Sequence, residues 1–273
     1  MWYNRTVIKE KACAKVNLQL NILGRRPDGY HEVDMLMQTL DFCDEVMLEE
    51  VSESGVFVET NVAELNNGDN LACRAAYLLA DYGGVDPKLK ISIRKNIFQA
   101  AGLGGGSADA AAVFRGLNKL WRLNYSYEKL ERIAAELGSD IPFLIQGGRS
   151  RATGRGEVLE HLEDVENRYV VLAKPREFGI STKWAYAEFD KLQSKPDGEN
   201  GNVFELVAFP RYPLLAEMKS VALKLGAEQS LMSGSGPTMY AMTEDEQAAA
   251  AIKMAWEKYP VETVVTRFAG RMK

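Results

Sequence analysis

At 273 residues the chain is long enough for two modest domains, and 46% hydrophobic with 26% charged residues is ordinary globular composition. The net charge of −5 leaves no general basic field, and Lys and Arg are scattered rather than clustered, which argues against a nucleic-acid partner. Met1-Trp2-Tyr3-Asn4-Arg5 lacks the apolar core of a signal peptide and no window reaches the length of a membrane span, so a cytoplasmic protein with no membrane partner is expected.

From Val7 to Ile22 apolar Ala12, Ala14, Val16, Leu18, Leu20 and Ile22 alternate with Lys11, Cys13, Lys15, Asn17, Gln19 and Asn21, the pattern of a long half-buried strand. Arg26-Pro27-Asp28-Gly29 predicts a turn. An apolar segment over Met35 to Phe42, a strand from Glu45 and another near Gly55 to Glu59 follow. Asn70 opens a helical pattern through Leu71, Ala75, Leu78 and Leu79, which Gly83-Gly84 ends. Leu89, Ile91 and Ile93 mark a strand aimed into a glycine run, and beyond Ser107 the residues Val113, Phe114, Leu117, Leu120 and Trp121 mark a helix.

A further helix from Tyr127 carries Leu130, Ile133, Ala134 and Leu137, with Gly138 expected as its left-handed C-terminal residue. Beyond Arg149 the elements shorten, including strands at Tyr169 to Ala173 and Thr238 to Met242, and Ser194 to Asn202 reads as a flexible surface loop. The change of pattern near residues 148–156 suggests domains over 1–152 and 153–273, and no internal repeat is present. Cys13, Cys43 and Cys73 are odd in number and widely spaced, so neither a disulfide framework nor a zinc site is expected.

Ala101-Gly102-Leu103-Gly104-Gly105-Gly106-Ser107 lies between a predicted strand and a predicted helix. Triphosphate oxygens are best held by backbone N–H groups at a helix N-terminus when no Cβ keeps the backbone away. The run is not a Walker A loop, since no Lys-Ser/Thr follows, nor the dinucleotide pattern, since Ser107 stands where its last glycine would fall. It therefore reads as a cradle for the phosphates of ATP; the bland alternative is a turn that lets a strand pack closely on a helix. Ser107 either caps the helix or reaches a phosphate or Mg²⁺.

The loop resembles the second motif of the GHMP kinase superfamily of ATP-dependent small-molecule kinases. Ala14-Lys15-Val16-Asn17-Leu18 and Gly24-Arg25-Arg26-Pro27-Asp28-Gly29-Tyr30-His31-Glu32 resemble one branch of it, which phosphorylates the 2-hydroxyl of 4-diphosphocytidyl-2-C-methyl-D-erythritol in non-mevalonate isoprenoid synthesis. Asp69-Asn70-Leu71, Leu137-Gly138-Ser139-Asp140-Ile141-Pro142-Phe143, Thr153-Gly154-Arg155-Gly156-Glu157, Gly179-Ile180-Ser181-Thr182 and Ser233-Gly234-Ser235-Gly236 follow in that branch's order. The resemblance implies an α+β fold of two domains, the first like domain 2 of ribosomal protein S5 and the second a ferredoxin-like α/β sandwich. It also implies ATP with Mg²⁺, a cytidine diphosphate-linked polyol as small-molecule substrate, and a monomer or weak homodimer.

The resemblance makes Asp140 the base for the attacking hydroxyl, with an N-cap as the alternative use of this Asp. Lys15 and Asn17 share one face of their strand, about 6.5–7 Å apart by strand rise. By resemblance Lys15 supplies positive charge near Asp140 and the developing phosphate, and Asn17 orients the alcohol. Tyr30, His31 and Tyr186 are assigned to the cytidine, Thr182 to the methylerythritol, Asn70 to adenine or to capping, Ser107 to the metal, and Ser233, Gly234 and Ser235 to the substrate and phosphate region. His161 falls outside these motifs and reads as surface.

Cys13 and Phe98 stand where the branch commonly has prolines, Ala108 where a second serine is frequent, and Arg151 where a small residue is usual. Two alternatives follow: a GHMP-type kinase of another alcohol such as homoserine or mevalonate, or a nucleotide-binding homologue with weakened catalysis.

Overall fold

A computed structural model describes residues 6–165, 168–192 and 201–272. The chain opens with two long antiparallel strands, β1 (Val7–Arg25) and β2 (His31–Glu50), joined by the expected Pro-Asp-Gly turn. The segments expected at Met35–Phe42 and from Glu45 are one strand: β1 pairs with it on both sides of Leu40–Phe42, from Thr39 towards the turn and from Cys43 onward, with a register shift between. β1 is not half-buried throughout. Ala12 to Asn17 are buried on both faces, because the glycine loop lies across the face that carries Lys15 and Asn17.

β3 (Gly55–Thr60), α1 (Leu71–Gly83), β4 (Lys88–Arg94), α2 (Gly105–Leu120), α3 (Tyr127–Ala134), α4 (Ile141–Gln146), β5 (Arg149–Thr153) and β6 (Val158–Leu162) complete the first unit. Its sheet runs β3-β4-β2-β5-β6 with β1 on β2. α2 is buried all along Ala108 to Leu117 between β1, α1 and α4. Small residues are required there: a Cβ on Gly116 would lie 2.4 Å from Leu48 Cδ1. α3 ends earlier than its apolar pattern, and Gly138 does not adopt a left-handed φ; its missing Cβ admits Ile141 Cδ1 at 3.3 Å from where that atom would sit.

β7 (Tyr169–Pro175), α5 (Thr182–Asp190), α6 (Glu205–Arg211), α7 (Pro213–Lys224), β8 (Gln229–Met232), β9 (Met239–Thr243), α8 (Glu246–Trp256) and β10 (Val261–Arg267) form the second unit, an antiparallel sheet of order β10-β7-β9-β8 with α7 and α8 packed on it. The division expected after residue 152 falls inside β5, and β6 still pairs with β5, so the first sheet runs to Leu162. The expected surface loop over Ser194–Asn202 lies outside the described residues except for its end, and there Asn202 is buried and bridged to Leu20 of β1.

Cys13 and Cys43 are joined by a disulfide, against expectation. The antiparallel register places the two directly opposite each other although they are 30 residues apart, a proximity their sequence spacing does not display. Cys73 is the buried free thiol.

Candidate active site

The glycine loop enters α2 with positive φ at alternating positions: Ala100 (+49°), Gly102 (+75°) and Gly104 (+71°). Such alternation is how concave backbone nests for anions are built. Gly104 is the N-cap of α2. A Cβ on Gly102 would stand 2.1 Å from the Ser233 carbonyl, so that position excludes a side chain by space as well as by φ; one on Gly104 would stand 3.2 Å from Lys15 Cγ, a tight contact added to an unfavourable φ. The loop is pinned to β1, since Lys15 N donates to Leu103 O at 3.0 Å. Phe98, just upstream, packs edge-to-face on Phe42 at 5.4 Å between ring centroids.

Ser107 is not the cap of α2; it is the helix's third residue, and its hydroxyl makes no hydrogen bond among the described residues. Asn70, by contrast, does cap α1: its Oδ1 accepts from Ala72 N at 2.9 Å while its Nδ2 donates to Leu65 O. The neighbouring Leu71 faces the loop, with Cδ1 3.6 Å from where a Gly106 Cβ would be.

Lys15 is 4% exposed; its ammonium donates to Asn17 Oδ1 at 2.7 Å and lies 3.6 Å from Asp140 Oδ2. A register slip between Cys13 and Lys15 and another between Asn17 and Gln19 bracket this pair on β1. Asp140 precedes α4 without capping it, so the alternative use of this carboxylate is not realised. Gly234, from the turn between β8 and β9, is beside them: its Cβ position is 3.5 Å from both Lys15 Nζ and Asn17 Oδ1.

His31, at the start of β2, stacks on Tyr186 of α5 at 4.6 Å between centroids, and its Nε2 is 2.8 Å from Asp190 Oδ1. Tyr186 also meets Phe204 edge-on. Burial, with a smaller contribution from the negative charge of Asp140, pushes the Tyr186 phenol up to about 12, so it remains neutral and able to donate at physiological pH. Tyr30 stays exposed, with the Arg155 guanidinium 5.0 Å from its ring centre.

These groups share one cavity of ≈ 510 Å³ between the two sheets' units, lined by Lys15, Asn17, Tyr30, His31, Gly102, Gly104, Asp140, Thr182, Tyr186, Gly234 and Ser235. Thr182 and Ser235 are tied through their hydroxyls at 2.9 Å. Asn70, Gly105, Gly106, Ser107 and Ser233 are not in its lining, nor are Ala101 and Leu103, whose side chains are buried. Ser233 instead clamps the loop, donating from Oγ to Gly102 O at 3.0 Å.

The motif reading missed Arg155, Lys183 and Phe204 in the lining. Arg155 stood inside a quoted motif without a role. It also missed a buried cluster beneath the loop, where Lys95 donates to Asp44 and Asp109. Asp44 Oδ1 accepts from Asn96 N and Ile97 N, fixing the approach to the loop, and Lys95 Nζ is 3.7 Å from the Cβ position of Gly105. The departures at Ala108 and Arg151 lie away from the cavity: Ala108 is buried in α2, and Arg151 makes a two-pronged surface pair with Asp34, both contacts 2.8 Å. His161 is not simply surface; it is half-buried, bonded to Ser150 Oγ and 3.3 Å from Glu131.

Two family models match the chain, GHMP kinases N terminal domain over residues 70–148 and GHMP kinases C terminal over 189–262. A protein of Exiguobacterium sibiricum named 4-diphosphocytidyl-2-C-methyl-D-erythritol kinase is 40% identical, the match covering 95% of this chain and 97% of that one. Its namesake in Bacillus subtilis is 41% identical over 96% of this chain and 97% of its own. The chain belongs to the 4-diphosphocytidyl-2-C-methyl-D-erythritol kinase family. It is a GHMP-type small-molecule phosphotransferase with the two-domain α+β fold of that superfamily. A crystal structure of 4-(cytidine 5'-diphospho)-2C-methyl-D-erythritol kinase superposes with a TM-score of 0.82 at 29% identity, covering 96% of this chain and all of that one (100%). A homoserine kinase from Cytophaga hutchinsonii superposes at 0.79 with 19% identity, a likeness of fold alone, covering 98% and 96% of the two chains.

Proposed function

We propose that this kinase transfers the γ-phosphoryl group of ATP to the 2-hydroxyl of 4-diphosphocytidyl-2-C-methyl-D-erythritol. The observation that carries this reading is one cavity joining a glycine loop and a Lys15–Asp140 pair to a stacked His31–Tyr186 surface. An acceptor alcohol such as homoserine carries no nucleobase for that aromatic surface to hold.

In this reading the alcohol oxygen attacks the γ-phosphorus, the bond from phosphorus to the β-bridging oxygen breaks, ADP leaves, and the alcohol proton passes to an Asp140 carboxylate oxygen. Positioning and charge neutralisation supply most of the rate. Asn17 orients the alcohol, and Lys15, already 3.6 Å from Asp140, neutralises charge developing on the transferred group. His31 and Tyr186, with Tyr30 at the rim, hold the cytosine by stacking and edge hydrogen bonds. Arg155 and Lys183 supply cations for the diphosphate, Thr182 and Ser235 meet the methylerythritol, and Asn70 and Leu71 border the adenine.

Ser107 fits Mg²⁺, because its unengaged hydroxyl stands in the first turn of α2 beside three glycines and Mg²⁺ completes its shell with phosphate oxygens and water. When bound, the ion neutralises phosphate charge. No helix among the described residues is long and apolar enough to cross a membrane. In this reading the enzyme is cytoplasmic and monomeric or weakly dimeric.

A coupled ADP-release assay with this cytidylyl alcohol, homoserine and mevalonate tests the proposal. Turnover is expected with the first; turnover with either of the others and none with the first sinks it.

A further inference from the structure

Asn202 is 4% exposed and absent from the cavity lining, yet its amide joins both ends of the site. Nδ2 donates to Met232 O and to Gly234 O, each at 2.7 Å, and Oδ1 accepts from Phe204 N at 3.0 Å. Both donor positions and the carbonyl are used, so the side chain has one satisfied orientation and leaves three backbone groups bare if removed. Its backbone is fixed as well: Leu20 N donates to Gly201 O at 2.8 Å and Val203 N to Leu20 O at 3.0 Å, tying the segment to β1.

The two carbonyls that Asn202 holds flank Ser233, one on Met232 at the end of β8 and one on Gly234 in the turn that follows. That turn grips the glycine loop through Ser233 Oγ and Gly102 O, and places Gly234 against Lys15 and Asn17. The third bond fixes the start of Phe204, whose ring abuts Tyr186 at 4.8 Å. We infer that Asn202 is a positioning residue for phosphoryl transfer, setting the Ser233–Gly234 turn against Lys15 and the glycine loop. The inference rests on the kinase reading of the site and touches no substrate atom directly.

Asn202→Asp preserves shape but replaces the Nδ2 group that makes both donations with a carboxylate oxygen facing the two carbonyls. Because misplacement of about 1 Å at a reacting centre costs on the order of 10²-fold, kcat is expected to fall by that order while KM for ATP and for the alcohol stay near wild type. Thermal melting is measured in parallel, and assays run well below the melting temperature. A lowered melting temperature with unchanged kcat makes Asn202 merely structural and overturns the inference, as does a rise in both KM values at unchanged kcat. If the Asp variant does not fold, Asn202→Ser, which keeps one donor, carries the same test with the same two readings. The assay uses whichever alcohol of the panel the wild type phosphorylates, so an error about the acceptor shows in the wild type alone and an error about Asn202 shows only in the variants.

Discussion

At the glycine-loop end of the cavity Lys15 is 4% exposed, and backbone meets backbone: Leu103 on β1, Gly102 beneath Ser233. At the cytidine end Tyr30 is 55% exposed, and the surface is made of side chains from β2, α5 and the segment before α6. The first end is over-determined, with Gly102 closed to any side chain, Gly104 held at left-handed φ and a buried ion cluster behind them. The second relies on ring stacking and long cationic side chains that water still reaches. Phosphoryl transfer needs atoms fixed to fractions of an ångström, whereas a flat base tolerates sliding on a ring. The contrast predicts that changes at the loop end act on kcat and changes at the cytidine end act on KM.

The largest effect tests that division at its centre. Asp140→Asn keeps the shape, the lining and the aromatic end, and removes the proton acceptor. Loss of kcat by about 10²–10⁴-fold is expected, with calorimetry showing both substrates still bound. Near-normal turnover would take Asp140 out of the base role.

A smaller effect is expected at the opposite end. Tyr186→Leu removes the ring stacked on His31 and leaves an apolar residue in its place. Aromatic pairs are worth about 0.5–1.5 kcal/mol beyond their area, so KM for the cytidylyl alcohol should rise roughly 2–10-fold. KM for ATP should not move. If it rises in step, the two ends are not separable and the comparison fails.

How far the site could be read in advance follows the same line. The glycine run has a legible local chemistry, Lys15, Asn17, Tyr30 and His31 stand in short motifs that a family resemblance reads, and the cavity unites these four with Gly102 and Gly104. Asn202, Arg155 and the Asp44–Lys95–Asp109 cluster have meaning only after folding. Lys95 and Asp44 are 51 residues apart, and Asn202 and Met232 30, with no periodicity to relate them. The disulfide was hidden for that reason, since opposition of Cys13 and Cys43 depends on how β1 and β2 pair along their length, which neither cysteine's neighbours display. In the fold, long apolar alternation and helical spacing located most elements of the first unit. What they missed, such as the continuity of β2 through Asp41–Asp44, is decided by a neighbouring strand rather than by the residues themselves.

The buried cluster acts on stability rather than on turnover, and distinguishes the two ends by pH. Asp109, in the first turns of α2, has one carboxylate oxygen on Lys95 and the other without a hydrogen-bond partner among the described residues. Burial, opposed by the charge of Lys95 and assisted by that of Asp44, raises it from the ordinary 3.8 to about 7. The folded state therefore holds a proton that the unfolded chain releases. Its stabilising effect is complete below the unfolded value of 3.8, declines as pH rises from there, and is gone once pH has passed through about 7. Urea midpoints of the wild type should accordingly fall from acid to neutral pH and level off above. Asp109→Asn, which keeps the amide oxygen as an acceptor for Lys95 and does not titrate, should flatten that slope. Tyr186→Leu should leave it intact, because Tyr186 titrates only near 12. An unaltered slope in Asp109→Asn would mean that the proton resides elsewhere and that Asp109 is ionised beside Lys95.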